Sequence, residues 1–287
     1  MFTHGGLLSF ISSTECTREI FQASRGSLRF PEFRFDMRNV QSKSPNRSQA
    51  AWPMMLDLVA GLAAAASLVA FLYAWLEIPL GWVSASIAAY LVLAVTVYGF
   101  WTAGRFRRDD FGWANRVTLA RAVLVATLGG VLVAPEIVQQ QGLVLASLAL
   151  TAIVLDGLDG WLARAVDGAT RFGARFDMEI DALLILVLSI NVVLADRAGI
   201  WVLAIGGMRY AFILSGQMLP WLKGELPASI WRKVVCVAQG IVLAAALLPW
   251  LPVVLVQSAL ALSLAALIHS FGRDPLWLWR HRAVEHR

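Results

Sequence analysis

Long apolar segments alternate with short polar ones from residue 56 to the end of the chain. A helix needs about 20 apolar residues to cross the hydrocarbon core of a bilayer. Proline disfavours a continuous helix, so we divide the last uncharged run, Val234–Gly272, at Pro249 and Pro252. The pattern predicts an all-α polytopic membrane bundle, in which two N-terminal helices precede a six-helix core. The eight predicted spans are 56–76, 82–103, 115–134, 140–164, 173–195, 199–221, 230–248 and 252–271.

The polar segments outside these spans suggest four regions. Residues 1–50 are rich in Ser and Arg, and they lack the basic start, apolar stretch and cleavage site of a signal peptide. We expect a disordered extension there, although the interleaved Arg and Phe of 28–38 leave a membrane-surface contact open. The two extra helices then occupy 51–104, the six-helix core 105–272 and a cytoplasmic tail 273–287.

Composition supports the membrane assignment and excludes several other classes. Hydrophobic residues make up 59% and charged residues 15% of the 287 positions, against roughly 45–50% and 25% in soluble domains. These values argue against a soluble globular protein, a disordered chain and a coiled coil. Cys16 and Cys236 lie far apart in sequence, so neither a disulfide nor a metal cluster can be argued from them.

Basic residues collect in the loops on one side of the predicted bundle, while the loops on the opposite side contain only Arg197. Lys and Arg are enriched in cytoplasmic loops. We therefore expect a protein of a bacterial-type inner membrane, with this side of the bundle and both termini facing the cytoplasm. The small net charge of +5 then reflects topology, and no nucleic-acid partner is expected. The basic residues are Arg105, Arg107, Arg108, Arg116, Arg164, Arg171, Arg175, Lys223, Arg232, Lys233, Arg273, Arg280, Arg282 and Arg287.

Four aspartates interrupt the apolar pattern. Asp156 and Asp159 share a face of the fourth predicted helix, and Asp177 and Asp181 share a face of the fifth. The turn signal Asp167-Gly168 lies between them, so we expect the two helices to be antiparallel neighbours whose carboxylates meet at the cytoplasmic end. Each charge costs roughly 2.5–3.5 kcal/mol at a membrane helix centre, which favours a functional site over capping residues in water.

Converging carboxylates are typical ligands of hard divalent cations. Mg²⁺ commonly joins carboxylates to substrate phosphates, and no His or Cys lies nearby in the sequence to suggest zinc. Gly160 and Gly173 permit close approach of a neighbouring helix or of a ligand, and the residues leave both interpretations open. Arg164 offers a forked donor for a diphosphate, and Thr170 offers a hydroxyl.

These residues form a known signature. Residues 156–181 read Asp-x-x-Asp-Gly-x-x-Ala-Arg, then eight residues, then Gly-x-x-x-Asp-x-x-x-Asp. This sequence resembles the defining motif of the CDP-alcohol phosphotransferases, also called CDP-alcohol phosphatidyltransferases. The segment Asn115-x-x-Thr118-x-x-Arg121 is similar to the first core helix of that family, and the resemblance covers about 113–272.

A later segment resembles the family less closely. Ser229, Lys233 and Gln239 align with the Ser-x-x-Gly-Lys-x-Lys-Thr-x-x-Gln pattern of phosphatidylglycerol-phosphate synthases. The departures leave the acceptor undetermined: glycerol phosphate, an inositol phosphate, serine and other alcohols all remain open. In these departures, Arg232 replaces the Gly of the pattern, Val235 replaces the second Lys and Cys236 replaces the Thr.

The resemblance implies a membrane enzyme of phospholipid biosynthesis. It would transfer a phosphatidyl group from a CDP-alcohol, expected to be CDP-diacylglycerol, to an acceptor alcohol and release CMP. Asp156, Asp159, Asp177 and Asp181 would bind two Mg²⁺ or Mn²⁺ ions, and Asp181 would also be the general base. The CDP moiety would contact Gly160, Arg164 and Thr170, with Asn115 and Thr118 nearby. The family also leaves a homodimer open.

Four further cations are candidates for binding anions. Arg209 lies deep in the sixth predicted helix, where it could bind an anionic acceptor or pair with a carboxylate of the bundle. Arg121 has the same interpretation, or it is a side chain that extends towards the interface. Arg232 and Lys233 could bind an acceptor phosphate or anionic lipid headgroups.

Two other functions use the same acidic residues. A cation or proton transporter would need ionisable groups along a path across the bilayer, whereas these acids cluster at one end. A non-catalytic relative could bind lipid only, although the complete motif favours an enzyme.

Overall fold

The computed structural model describes residues 52–103, 112–162, 171–218 and 230–281, and its secondary structure there is helical. The predicted extension 1–50, with its Arg- and Phe-rich stretch, lies outside the described residues, as do Arg164 and Thr170. Two 3₁₀ turns, Gly130–Val133 and Ile200–Val202, accompany the α-helices. These are α1 (Trp52–Leu76), α2 (Leu80–Ala103), α3 (Gly112–Gly129), α4 (Glu136–Gln140), α5 (Gly142–Leu162), α6 (Arg171–Leu194), α7 (Leu203–Met218), α8 (Ile230–Ala246) and α9 (Val253–His281).

The predicted helical membrane bundle is confirmed. Within the described residues, each of the eight predicted spans corresponds to a helix of 16 residues or more, and only α4 is shorter. Four segments are long and apolar enough to cross a bilayer by length and composition. They are Met54–Leu76, Leu80–Thr102, Gly112–Val133 and Val253–Ser270.

Helix boundaries differ most from the prediction at two places. The third span is not one helix to residue 134, because α3 ends at Gly129 and a 3₁₀ turn and α4 precede α5. The last helix continues to His281, past the start of the predicted tail at 273. The apolar pattern indicates which residues are buried in lipid. Helix ends are set by the backbone hydrogen bonds, so they need not coincide with the ends of an apolar run.

The turn between α8 and α9 is confirmed where the sequence has Pro249 and Pro252. Its close packing depends on a residue without a side chain, Gly142 at the start of α5. A Cβ at Gly142 would collide with the carbonyl oxygen of Leu247 in that turn. Glycine is therefore required where α5 passes the end of α8.

Helix α3 lies at the centre of the bundle, with most of its length buried. Helices α5 and α6 both pack on α3, and α8 packs on both of them. The expected direct packing of α5 on α6 is therefore wrong, since among the described residues they pack mainly on α3 and α8. A short connection predicts that two helices meet at one end, but it does not exclude a third helix between them.

Helices α1 and α2 form a hairpin that packs on α3. Tyr90 on α2 donates a hydrogen bond of 2.8 Å to the carbonyl oxygen of Leu58 on α1. Asp57 on α1 forms an ion pair of 3.0 Å with Arg116 on α3. Polar contacts thus join the hairpin internally and connect it to the helix that carries the Asn-x-x-Thr-x-x-Arg segment.

The outer surface is strongly apolar. Val92 and Val95 on α2 and Val254 and Leu262 on α9 are each at least 66% exposed. Such a surface suits contact with lipid, because isolated soluble proteins rarely expose large contiguous apolar patches.

Candidate active site

Three of the four predicted aspartates converge inside the bundle. One carboxylate oxygen from each of Asp156, Asp177 and Asp181 lies within 4.8 Å of the other two. Asp156 comes from α5, and the i, i+4 spacing on α6 places Asp177 and Asp181 on one face, as the sequence predicted. Asp159 lies in α5, but its side chain is outside the described residues. The cluster is half-buried, with side-chain exposures between 29% and 35%.

The cluster surrounds Arg121, which therefore has the bundle carboxylate partner that was one of its interpretations; the sequence did not indicate which carboxylates these would be. The Nη1 atom of Arg121 lies 2.9 Å from Asp156 Oδ1 and 2.5 Å from Asp177 Oδ1. Its Nη2 atom is hydrogen-bonded to Asp181 Oδ1. The Arg121 side chain is only 1% exposed, so the interpretation of a residue extending to the interface is wrong.

Arg121 occupies this position because α3 separates the two helices that carry the carboxylates. Asn115, Thr118 and Arg121 follow one another at intervals of three and are all at least 95% buried. At this spacing they form one stripe along α3. Thr118 donates a hydrogen bond of 3.2 Å to the carbonyl oxygen of Ala114. The segment similar to the family's first core helix is thus buried, and its last residue contacts the acidic cluster.

A small cavity of about 30 Å³ adjoins the cluster. One end is charged and the remaining lining is apolar, apart from the thiol of Cys236. Gly240 on α8 leaves this space open, since a Cβ there would lie 3.1 Å from Ile153 Cδ1. The lining residues are Arg121, Ile153, Asp156, Asp181, Leu184, Ile185, Cys236, Val237 and Gly240.

Cys236 is a site residue that the sequence analysis missed. It lies far from the aspartates in sequence and was noted only for its distance from Cys16 and as a departure from the Thr of a related pattern. In the fold, α8 packs on α5 and α6, which brings Cys236 to the cavity beside Asp156 and Asp181. Its position relative to these acids required the arrangement of three helices, which spacing along the chain does not provide.

The chemistry of the cluster fits a hard divalent cation. Mg²⁺ and Mn²⁺ prefer oxygen ligands, and three carboxylates are grouped closely enough to share an ion. The same three carboxylates contact the Arg121 guanidinium. The three aspartates therefore fit a Mg²⁺ or Mn²⁺ ion, and the Arg121 guanidinium lies among them.

The remaining candidates with described backbone lie on α5, α7 and α8. Arg209 on α7 forms an ion pair of 2.7 Å with Glu179 on α6, so it has the carboxylate partner that was the alternative interpretation. Glu179 is half-exposed and is not one of the four predicted ligands. Arg232 and Lys233 belong to α8, but their side chains lie outside the described part of the structure. Gly160 belongs to α5.

A comparison with protein families agrees with this geometry. The family model described as CDP-alcohol phosphatidyltransferase matches residues 111–269, which is more than half of the chain. The chain belongs to the CDP-alcohol phosphatidyltransferase family. Membership supports transfer of a phosphatidyl group from a CDP-alcohol. The match begins just before α3 and ends within α9, so the α1–α2 hairpin of this family member lies outside it.

Neither the curated proteins nor the solved structures include a significant match to this chain.

Proposed function

We propose that the protein transfers the phosphatidyl group of CDP-diacylglycerol to an acceptor alcohol and releases CMP, as a step in phospholipid biosynthesis. The observation that carries this proposal is the convergence of Asp156, Asp177 and Asp181 within a chain of this family. The acceptor hydroxyl oxygen forms a bond to the phosphorus that bears diacylglycerol. The bond from that phosphorus to CMP breaks, and CMP leaves with the electron pair.

Asp156, Asp159, Asp177 and Asp181 are the residues that would hold two Mg²⁺ or Mn²⁺ ions. Bound there, these ions would neutralise the diphosphate and the charge that develops on CMP as it leaves. The protein's part is to hold the carboxylates on two helices that are fixed against α3.

Asp181 is proposed as the general base that accepts the proton of the acceptor hydroxyl. Its side chain lines the cavity, where an acceptor could come within hydrogen-bonding distance. Asp177 and Asp156 lie beside it, so the proposed base and the proposed metal ligands share one site. General-base catalysis of this kind contributes about 10²–10⁴-fold to a rate.

Substrate contacts are proposed for two groups of residues. Gly160, Arg164, Thr170, Asn115 and Thr118 are assigned to the CDP moiety; of these, Asn115 and Thr118 are buried on the α3 stripe next to Arg121. An anionic acceptor is assigned to Arg209, Arg232 and Lys233. Arg209 would exchange Glu179, a half-exposed partner, for the acceptor.

The apolar lining of the cavity supports a lipid substrate. Ile153, Leu184 and Ile185 line the same space as the charged groups. Pockets that combine an apolar wall with a few charged groups suit ligands with both characters. CDP-diacylglycerol has a charged diphosphate next to apolar chains. We place the site and both termini on the cytoplasmic side, and the protein acts as a monomer or a homodimer.

The test is CMP release by the full-length protein reconstituted with CDP-diacylglycerol, Mg²⁺ and a panel of alcohols, with product lipids identified by mass. We expect Asp181→Asn and Asp177→Asn each to lower the rate by about 10²–10⁴-fold. Asp196→Asn is the matched control, because Asp196 is exposed just beyond the opposite end of α6.

Full activity in both aspartate variants would contradict the mechanism. Cation flux into liposomes without any CDP-alcohol, together with no CMP release, would instead support the transporter. Binding of CDP-diacylglycerol without turnover of any alcohol would support a non-catalytic relative.

A further inference from the structure

Arg121 is the most deeply buried charged side chain beside the acidic cluster, and its contacts are unusually concentrated. One guanidinium contacts carboxylates from two different helices, at 2.9 Å for Asp156 and 2.5 Å for Asp177, and also bonds to Asp181. The side chain is 1% exposed, so water does not replace these partners. Arg121 therefore links α3, α5 and α6 at one point.

The charges explain why a cation is needed there. Carboxylates whose oxygens lie within 4.8 Å of one another repel when they carry charge, and the surrounding bundle is less polar than water. A buried charge is tolerated only when it is paired and hydrogen-bonded. An arginine is suited to this position because its planar fork presents several donors and it stays charged. One guanidinium is shared among three carboxylates, so each acid has only part of a cationic partner in Arg121.

We propose that Arg121 is the resident counterion of this cluster. It holds the three carboxylates together before a divalent cation binds, and it competes with that cation for the same oxygens. Arg121 is a positioning residue in this role, since it acts through the aspartates. Only the identity of the competing cation rests on the proposed function.

Competition has a definite thermodynamic consequence. A cation that binds the folded state raises its stability, and a competitor already present reduces that gain. Without Arg121, the unloaded cluster loses the cation that its three carboxylates share, which destabilises the protein in chelator. A divalent cation then no longer competes with the guanidinium, and it binds more tightly because a positive charge has been removed.

The experiment compares full-length wild type with Arg121→Gln and Arg121→Lys, all purified in Mn²⁺ so that the variants are loaded while folded. Thermal unfolding is followed in chelator and in saturating Mn²⁺, and Mn²⁺ affinity is measured by electron paramagnetic resonance. For Arg121→Gln we expect a Tm loss in chelator that Mn²⁺ largely restores. We also expect Mn²⁺ affinity to be about tenfold higher than in wild type.

Arg121→Lys and a control variant, Arg116→Gln, separate the effect of charge from the effect of packing. Arg121→Lys keeps the charge but loses the fork, so its Mn²⁺ affinity stays near that of wild type while its Tm in chelator falls. Arg116→Gln is the matched control on the same helix, where the arginine is 43% exposed and pairs with Asp57. Its Tm loss should be equal in chelator and in Mn²⁺.

An Arg121→Gln variant whose Tm loss is the same in both buffers would overturn the proposal, because Arg121 would then be only a packing residue. Unchanged or weaker Mn²⁺ affinity would overturn the competition, as would the absence of Mn²⁺ binding in every variant. These readouts use no CDP-alcohol. They can therefore succeed where CMP release fails, or fail where CMP release succeeds.

Discussion

At the scale of single residues, Cys236 provides a direct chemical probe of the cavity. It is a free, exposed cysteine that lines the same space as Asp156 and Asp181. We expect a methanethiosulfonate reagent to modify Cys236 in a Cys16→Ser background and to lower CMP release by about 10²-fold, because a group added there displaces substrate from its reactive position. Activity and intact mass, measured in parallel, would check this.

The control is the Cys16→Ser/Cys236→Ser protein, whose activity should be insensitive to the reagent. CDP-diacylglycerol with Mg²⁺ should slow labelling of Cys236. Complete labelling with no loss of activity would show that the cavity beside the acids is not part of the substrate site.

The same residues show how far spacing alone can predict a site. Asp177 and Asp181 share a helix face because they are four apart, and the structure places them together with Asp156. Pairing with a bundle carboxylate was one interpretation of Arg121, but the sequence did not identify these three acids, because the contact depends on α3 lying between α5 and α6. Its charge within an apolar run was the available signal, and it indicated a buried partner without identifying it.

At the scale of helices, the sequence predicts segments better than neighbours. Bilayer thickness sets the length of an apolar run, so the positions of the eight long helices in the described ranges follow from hydropathy. Their packing does not, because each has an apolar surface suited to lipid or to another helix. The wrongly expected pairing of α5 with α6 is an example, since α3 and α8 take the positions between them.

An ion pair between Asp57 and Arg116 joins α1, which lies outside the family match, to α3 in the core. Arg116 on α3 pairs with Asp57 at 3.0 Å and also lies over the ring of Trp113, 4.7 Å from its centre. Asp57 is 16% exposed and its Oδ2 atom is buried without a hydrogen-bond partner among the described residues, whereas Arg116 is 43% exposed. The two partners are therefore unequal in their access to water.

Removing the arginine should cost more than removing the acid. Arg116→Gln leaves a mostly buried carboxylate without its cation, and we expect it to lower the free energy of unfolding by about 1–3 kcal/mol. Asp57→Asn leaves an arginine that water can solvate, and we expect a loss of about 0–1 kcal/mol. Thermal unfolding of the full-length protein in detergent would measure both.

A double-mutant cycle supplies the control for this pair. Asp57→Asn/Arg116→Gln should be close to Asp57→Asn alone, because the unpaired carboxylate is then absent. Additive losses would contradict an interaction between the two side chains. A larger loss for Asp57→Asn than for Arg116→Gln would contradict the assigned difference in burial.

At the scale of the whole molecule, the distribution of basic residues is the evidence for orientation. Arg197 is the single basic residue in the loops opposite the basic side, so its role affects how that evidence is interpreted. Its guanidinium donates hydrogen bonds to the carbonyl oxygens of Ala246 and Leu248 at 3.0 Å each, and to that of Leu251 at 2.6 Å. Carbonyls at the end of a helix lack hydrogen-bond donors within the helix. Arg197 provides these donors at the α8–α9 turn.

Arg197 is thus explained by structure and does not weaken the charge asymmetry. We expect Arg197→Gln to leave the orientation unchanged while lowering the free energy of unfolding by about 1–3 kcal/mol, since three carbonyls lose a charged donor. Reporter fusions within 247–252 and after residue 287 would measure orientation, and thermal unfolding in detergent would measure stability. The two sites should report opposite sides in wild type and variant alike. A variant whose reporters exchange sides would show that Arg197 sets topology, because stabilisation of the α8–α9 turn has no effect on which side of the bilayer that turn occupies.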